Sequence, residues 1–383
     1  MPKFFIQNIS FEAPLNVNVE GLTIHSSPRP YSIDFISHLP LAETINSRIT
    51  KATYPIVLID RKVVKTHFLR SVTFLGVPIF VVEATEKFKT LEGVIQLVEF
   101  MRQNNATRSS MLFAIGGGII QDVAAFACAM YKRGISWTYI PTTLLAQGDS
   151  CVGGKTGINY SRTKNLLGLF STPRRVWIHA GFLATLPSEE ILSGLGEVFR
   201  LCVTGGEAFV ERLERYLPAA LSMDSGALTT LVETSLSVKR AVVEYDEFEI
   251  DLRRSMNLGH SIGHAFEAIT NYAIPHGIGV MIGILVESEV SYSRGLLTDI
   301  ERKRLLRLAA PLIPTHIRSV LRDICFDTLL DVLQRDKKTE GSTLKLVVLE
   351  HIGHILFIDL TLEESTKNLL QISLRRVLDA LDE

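Results

Sequence analysis

The sequence predicts an N-terminal α/β domain on a parallel, Rossmann-like sheet, residues 1–180, followed by a mostly α-helical domain, residues 181–383. Three observations carry this. Short apolar runs alternate with helix-length segments up to about residue 180, the order that builds a parallel sheet. One run, residues 111–115, opens directly onto Gly116-Gly117-Gly118 and a helix-length apolar segment, residues 119–130. Beyond Pro187, strand signals give way to long helical stretches. A chain of 383 residues also exceeds one ordinary core, which agrees with two domains.

Residues 1–50 read as strands and turns, with a hairpin around residues 17–24. Residues 54–60 form a buried strand ending in Asp60. An acid there can bind a ribose hydroxyl or simply cap the next helix, and the sequence leaves both open. Residues 79–82 are a further strand, and residues 90–103 an amphipathic helix. The strand, glycine turn and helix of residues 111–130 can present backbone N–H groups to a phosphate, because no Cβ holds the ligand away. A tight turn with no ligand is the plainer alternative. A strand at 137–140 leads into Pro141–Ser150, Val152–Asn159 and Lys164-Asn165, which crowd hydroxyls, amides, an acid and lysines between apolar flanks. Such a stretch suits a polyhydroxylated, phosphorylated ligand. A solvated linker would carry fewer apolar residues.

The expected helices of the second half are residues 189–203, 208–217, 227–245, 260–269, 277–289 and 299–309, with a small hairpin at 344–349 and 354–358. His260 and His264 fall one turn apart on a helix face, with His276 twelve residues on. Two imidazoles at i, i+4 suit zinc with a third ligand from elsewhere. Asn257, Gly259 and Gly263 make a poor helix interior, so something other than propensity fixes them. Glu197 is an acid in an apolar segment, and Lys239 and Arg253 supply cations nearby in sequence.

GGGIIQD, YKRG, PTTLLAQGDSCVGGKTGIN and KNLLGLF resemble the motifs of 3-dehydroquinate synthase and its sugar-phosphate cyclase relatives. GLGEVFR, RRSMNLGHSIGHAFE and IPHGIGV resemble later segments of the same family. The resemblance implies a dehydroquinate synthase-like fold and a carbon–oxygen lyase of the shikimate pathway type. It implies oxidation of a heptulosonate 7-phosphate hydroxyl by NAD+, β-elimination of phosphate, re-reduction, ring opening and intramolecular aldol closure. The metal, Zn2+ or Co2+, would be held by Glu197, His260 and His276. Asp60, Glu86, Lys89, Gly117, Gly118, Ile119, Asp122, Thr142, Thr143, Leu145 and Lys164 match cofactor positions. Asp149, Lys155, Arg200, Lys239 and His264 match catalytic positions, so His264 moves from metal ligand to substrate contact. Asn165, Arg253, Asn257 and Lys337 (with Lys338 as its neighbour) match substrate-binding positions. Arg133 matches an arginine that reaches the phosphate from a partner subunit, which implies a homodimer. Four positions depart from the motifs: Gln121 for glycine, Arg200 for lysine, Lys62 for asparagine and Ile278 for an acid. Arg200, three residues after Glu197, is expected to reach the substrate and to alter specificity.

A net charge of −1 gives no general attraction to nucleic acid or acidic membrane. No run of about eighteen apolar residues appears, so no membrane span is expected, and MPKFFIQNISFEAP lacks the features of an export signal. Four scattered cysteines suit a reducing cytoplasm. Two other classes remain: a metal-dependent polyol dehydrogenase, which would release NADH, and a non-enzymatic binding protein, which would not need an open metal position. Among cyclases, the substrate can be a heptulosonate or that of an amino-dehydroquinate, deoxy-inosose or valiolone type enzyme. Arg253 with Lys239 offers a carboxylate clamp and favours a 2-keto acid.

Overall fold

A computed structural model of the chain describes residues 1–17, 21–27, 29–68, 76–161, 163–335 and 343–382. The chain packs as two compact units. One comprises Val17–Leu186 with Met223–Thr229, the other Met1–Asn16, Pro187–Ser222 and Thr230–Glu383.

The first unit is built on a seven-stranded sheet in the order Leu22–Ile24, Tyr31–Phe35, Arg175–Ile178, Ser136–Pro141, Met111–Gly116, Pro55–Asp60, Ile79–Val82. All neighbours are parallel except Leu22–Ile24 on Tyr31–Phe35. The central strands are largely apolar and buried because both faces are covered. On one face Val57, Ile59, Phe113, Ile115, Ile140 and Trp177 pack with Ile45 and Ile49 of the Leu41–Thr50 helix. Each isoleucine so buried contributes about 1.5–3 kcal/mol. That helix was not foreseen in a stretch read as strands and turns. The antiparallel pairing lies at Leu22–Ile24 and Tyr31–Phe35, later than the hairpin expected around residues 17–24, of which 18–20 lie outside the described residues.

Topology places the ligand side of this sheet. From Pro55–Asp60 the chain goes to one side for Ile79–Val82, returns to the other side for Met111–Gly116, and continues outward to Ser136–Pro141 and Arg175–Ile178. Strand order therefore reverses between Pro55–Asp60 and Met111–Gly116, which pair in register from Pro55↔Met111 to Ile59↔Ile115. Such a switch point opens a crevice at the carboxyl ends of the strands. Those ends carry Asp60 and the glycine turn. The polar stretch that follows is more ordered than a loop. Ala146–Ser150 is a π-helical turn, and Lys155–Tyr160 pairs antiparallel with Thr163–Phe170 as a two-stranded ribbon.

The second unit is mostly helical. His276–Ser293 is its central helix, buried continuously from Gly277 to Ser291, which explains its apolar residues on every face. Ser188–Gly205 and His260–Ile269 pack against it through glycines. A Cβ on Gly196 would lie 2.1 Å from the Gly277 carbonyl oxygen, one on Gly283 2.1 Å from that of Gly259, and one on Gly263 2.8 Å from Gly279. These glycines, poor for helix propensity, let three helix backbones approach closely. The expected hairpin is present as Thr343–His351 and Thr361–His354 in antiparallel register, but it is half of a four-stranded sheet. Lys3–Ile6 pairs in parallel with its second strand, and Ile9–Glu12 completes the edge. For this reason residues 1–16 pack with the helical unit, and the units do not divide the chain at a single boundary near 180.

Candidate active site

In the sheet unit, Gly117 precedes the Gly118–Met130 helix with no side-chain cap, leaving the helix N-terminus to receive an external acceptor. Gly117 has φ of −82°, so glycine is not required there for a left-handed backbone. Space is the reason. A Cβ on Gly116 would strike Ile120 at 2.4 Å, and one on Gly117 would press on Thr143 at 3.1 Å, whereas a Cβ on Gly118 would meet nothing within 4 Å. The turn is braced from behind, since the Gly116 carbonyl accepts from the Thr142 N–H at 3.1 Å and the Tyr139 hydroxyl at 3.2 Å. Thr143 and Leu145 follow, and Thr143 Oγ1 accepts from the Ala146 N–H. Ile119 lies in the helix's first turn. Asp60 ends the adjacent strand and accepts the Lys62 N–H at 3.1 Å, so it does cap the next turn.

Other predicted cofactor residues meet beside this helix. Lys89 Nζ lies 2.7 Å from Asp122, which also accepts the Gly157 N–H at 3.2 Å. Burial pushes the Asp122 carboxyl up, against the opposing pull of Lys89. Glu86 accepts from Asn159 Nδ2 at 2.7 Å and sits 3.9 Å from Lys164 Nζ. Asn165 has a positive φ of 53°, and its side chain lies where a Cβ on Gly157 would stand. Asp149 belongs to the Ala146–Ser150 turn, and exposed Lys155 starts the ribbon. Gln121, a departure from the motif, makes a reciprocal pair with that turn: its Nε2 donates to the Ser150 carbonyl at 2.7 Å and its Oε1 accepts from Ser150 Oγ at 2.8 Å. Arg133 is exposed and lies among three consecutive left-handed residues, Lys132, Arg133 and Gly134, with φ of 50°, 63° and 113°.

In the helical unit the close helix crossings bring Glu197, His260 and His276 together. Glu197 Oε1 lies 3.1 Å from His276 Nε2 and 3.7 Å from His260 Nε2. Tetrahedral zinc with bonds of about 2.0–2.1 Å separates its ligands by roughly 3.3–3.4 Å, so these three atoms fit one metal. Their outer nitrogens are already engaged. His276 Nδ1 faces Glu267 Oε1 at 2.8 Å and His260 Nδ1 faces the Leu258 carbonyl at 3.2 Å. Acceptors at Nδ1 orient the rings and leave Nε2 for a metal. Burial opposes charge on His276, but Glu197 and Glu267 outweigh it and push the imidazole up to about 10. Burial also opposes charge on Glu197, yet Arg200 and the imidazoles hold its carboxyl well below the usual range. His264 is exposed but converges as well: the nitrogens of His260, His264 and His276 lie within 4.8 Å of one another, so geometry admits a three-histidine set beside the glutamate set.

Arg200 is buried, with Nε donating to Glu197 Oε2 at 2.6 Å and Nη1 3.5 Å from Met256 Sδ. Arg253 and Lys239 are both buried cations. Arg253 donates to the Glu247 carbonyl, and Asn257 Nδ2 donates to Glu249 Oε1 at 3.2 Å. Ile278 is fully buried. Lys337 and Lys338 lie outside the described residues. Sequence reasoning missed three supporting acids. Glu267 orients His276. Glu287 accepts the Gly259 N–H at 2.6 Å, at the start of the His260–Ile269 helix. Asp246 accepts the N–H groups of Ile250, Asp251 and Arg253, each at 2.9 Å. Glu267 closes the quoted GHAFE segment; the other two stand apart from the motif-bearing glycines and histidines and gave no signal.

Two family models match adjoining stretches of the chain, 3-dehydroquinate synthase N-terminal over residues 79–193 and 3-dehydroquinate synthase C-terminal over residues 194–339. A 3-dehydroquinate synthase of Alkaliphilus metalliredigens is 35% identical over 280 residues, 73% of this chain and 78% of that protein. One of Azotobacter vinelandii is 39% identical over 273 residues, 70% of this chain and 73% of its own. Among solved structures, a 2-deoxy-scyllo-inosose synthase complexed with carbaglucose-6-phosphate, NAD+ and Co2+ superposes with a TM-score of 0.78 at 23% identity, covering 93% of this chain and 99% of that one. A 2-epi-5-epi-valiolone synthase from Streptomyces hygroscopicus subsp. jinggangensis, with NAD+ and Zn2+ bound, gives 0.76 at 24%, covering 91% and 97%.

Proposed function

The chain belongs to the 3-dehydroquinate synthase family, and from that premise we propose that it is a sugar-phosphate cyclase, a carbon–oxygen lyase that converts a heptulosonate 7-phosphate or a related sugar phosphate to a carbocycle. The observation that carries the reading is the Glu197, His260 and His276 set, whose spacing and outer hydrogen bonds fit one divalent metal. When bound, NAD+ takes up and returns a hydride, and Zn2+ or Co2+ acts as a Lewis acid on the hydroxyl being oxidised.

The remaining roles fall to the chain's own residues. Gly117, Gly118 and the uncapped helix N-terminus receive the pyrophosphate, with room above Gly118 for close approach. Asp60, at the end of the neighbouring strand, is the candidate for the ribose hydroxyls. Glu86, Lys89, Asp122 and Lys164 form the charged wall of the same site. Asp149, Lys155 and Asn165 bind and orient substrate. Lys239, Arg253, Asn257 and His264 do so in the helical unit, where the two buried cations suit a carboxylate. We assign the metal to Glu197, His260 and His276 and leave His264 to the substrate, because His260 and His276 are the two imidazoles whose oriented Nε2 atoms face the buried carboxylate.

The native assembly in this reading is a homodimer in which Arg133 reaches the substrate phosphate of the other chain. An exposed cation held in a pair of consecutive left-handed non-glycine residues, Lys132 and Arg133, each costing of order 1–3 kcal/mol, supports a functional demand at that corner. None of the four cysteines is in a disulfide, which agrees with a reducing cytoplasm, and no described helix is long and apolar enough to cross a membrane. The test is a panel of sugar phosphates offered with NAD+ and Zn2+ while released phosphate is followed. Release from a heptulosonate 7-phosphate that stops on metal chelation is expected; turnover that survives complete metal removal would overturn the assignment.

A further inference from the structure

The motif departure at Arg200 suggests a residue that meets substrate, yet its side chain is 2% exposed and is committed to a metal ligand. Its Nε donates to Glu197 Oε2 at 2.6 Å, one helical turn away, while Oε1 of the same carboxylate lies 3.1 Å and 3.7 Å from the two imidazole Nε2 atoms. The two oxygens are thus divided: one faces the guanidinium, the other the histidines. We propose that Arg200 is a positioning residue that acts through Glu197, fixing it as a one-oxygen donor and keeping a coordination position open for substrate.

The chemistry supports the division. A carboxylate can bind a cation through one or both oxygens, and a catalytic zinc site keeps three protein ligands and one open position. A guanidinium is planar, with fixed N–H directions, so it holds an oxygen in one geometry; a lysine ammonium is a rotatable point charge and holds it less strictly. Helix geometry adds constraint, since Glu197 and Arg200 share one face at i, i+3. Burial of both side chains keeps water from competing for Oε2. The inference rests on the Glu197, His260 and His276 assignment made above.

Cobalt is the probe, because its d–d absorption weakens as coordination number rises. Full-length wild type, Arg200→Lys, Arg200→Met and Glu197→Gln are loaded with Co2+, and their spectra are compared alongside kcat and KM. Arg200→Met is expected to free Oε2 and give the weaker bands of a more crowded ion, with kcat falling more than KM rises. Arg200→Lys is expected to lie between Arg200→Met and wild type, and it carries the test if the methionine variant fails to fold. Wild-type spectra in the arginine variants, with only KM raised, would overturn the proposal and return Arg200 to a substrate contact. A wild-type spectrum in Glu197→Gln would show instead that the metal assignment itself is wrong.

Discussion

Asp246→Asn probes how the helical unit holds the turn that carries Arg253 and Asn257. Asp246 Oδ1 accepts the Ile250 N–H and Oδ2 accepts those of Asp251 and Arg253, all at 2.9 Å, and the Leu252–Asn257 turn they anchor carries Arg253 and Asn257. Asparagine has a single acceptor oxygen. On the Oδ2 side it keeps two bonds, now neutral, and turns an amide NH2 toward the Ile250 N–H. Hydrogen bonds to a charged acceptor contribute about 1.5–3 kcal/mol and neutral ones about 0.5–1.5 kcal/mol. Losing one bond removes roughly 2 kcal/mol and weakening two removes about 1 kcal/mol each, so the variant should be about 4 kcal/mol less stable. At about 2–4 °C per kcal/mol, Tm falls by roughly 8–16 °C.

The pH dependence follows from the same bonds. Burial alone would raise the Asp246 carboxyl, but the three backbone N–H groups outweigh it and hold it below its usual value. A depressed folded pKa stabilises the protein above the unfolded pKa, about 3.9, and that stabilisation is lost as pH falls through the lower folded value. The Tm gap between wild type and Asp246→Asn should be full at neutral pH, begin to narrow near the unfolded pKa of about 3.9, and close as the pH falls through the lower folded value. Thermal melts across pH, with KM for a carboxylate-bearing substrate measured in parallel, check both points. A variant melting within about 2 °C of wild type at neutral pH, with unchanged KM, would refute the anchoring role.

Gly118→Ala should leave Tm nearly unchanged, because a Cβ there meets no protein atom, while NAD+ affinity falls; calorimetric titration with NAD+ separates the two effects. Gly116→Ala is the control, since its Cβ strikes Ile120 at 2.4 Å and should destabilise the fold itself. Lys155→Ala and Arg133→Ala each remove a cation that can bond phosphate, at about 1.5–3 kcal/mol, and should lower kcat/KM about 10–150-fold for phosphate-bearing substrates. Mixed dimers of Arg133→Ala with Glu197→Ala chains should regain one intact site, and no recovery in such mixtures would count against a shared site.

The parts of this protein that are local in sequence were legible in it. Parallel strands buried on both faces write themselves as apolar runs, and residues 54–60 and 111–115 fall within a residue of the observed strands. The glycine turn was visible, although its reason is the open space above Gly118 and the crowding at Gly116, which only packing reveals. His260 and His276 stood out, but spacing alone favoured His264. What sets His276 beside Glu197 is the crossing of two helices at Gly196 and Gly277, a contact between residues 81 positions apart. The role of Glu267 depends on a second crossing of the same central helix, by the His260–Ile269 helix at Gly263 and Gly279. Pairing of Lys3–Ile6 with His354–Thr361 is more remote still, and nothing in either segment names the other. The ribbon at Lys155–Tyr160 and Thr163–Phe170 read as a loop because its second strand is largely exposed and its first carries glycine and polar residues.

The most direct measurement follows phosphate and NADH together in one reaction of the full-length chain with Zn2+, a heptulosonate 7-phosphate and NAD+ below the substrate concentration. A cyclase that regenerates its cofactor within each turnover releases phosphate well past one equivalent of NAD+ with no net rise in NADH. NADH accumulating in step with product while the phosphate stays on the substrate would contradict the account and place the chain among the polyol dehydrogenases.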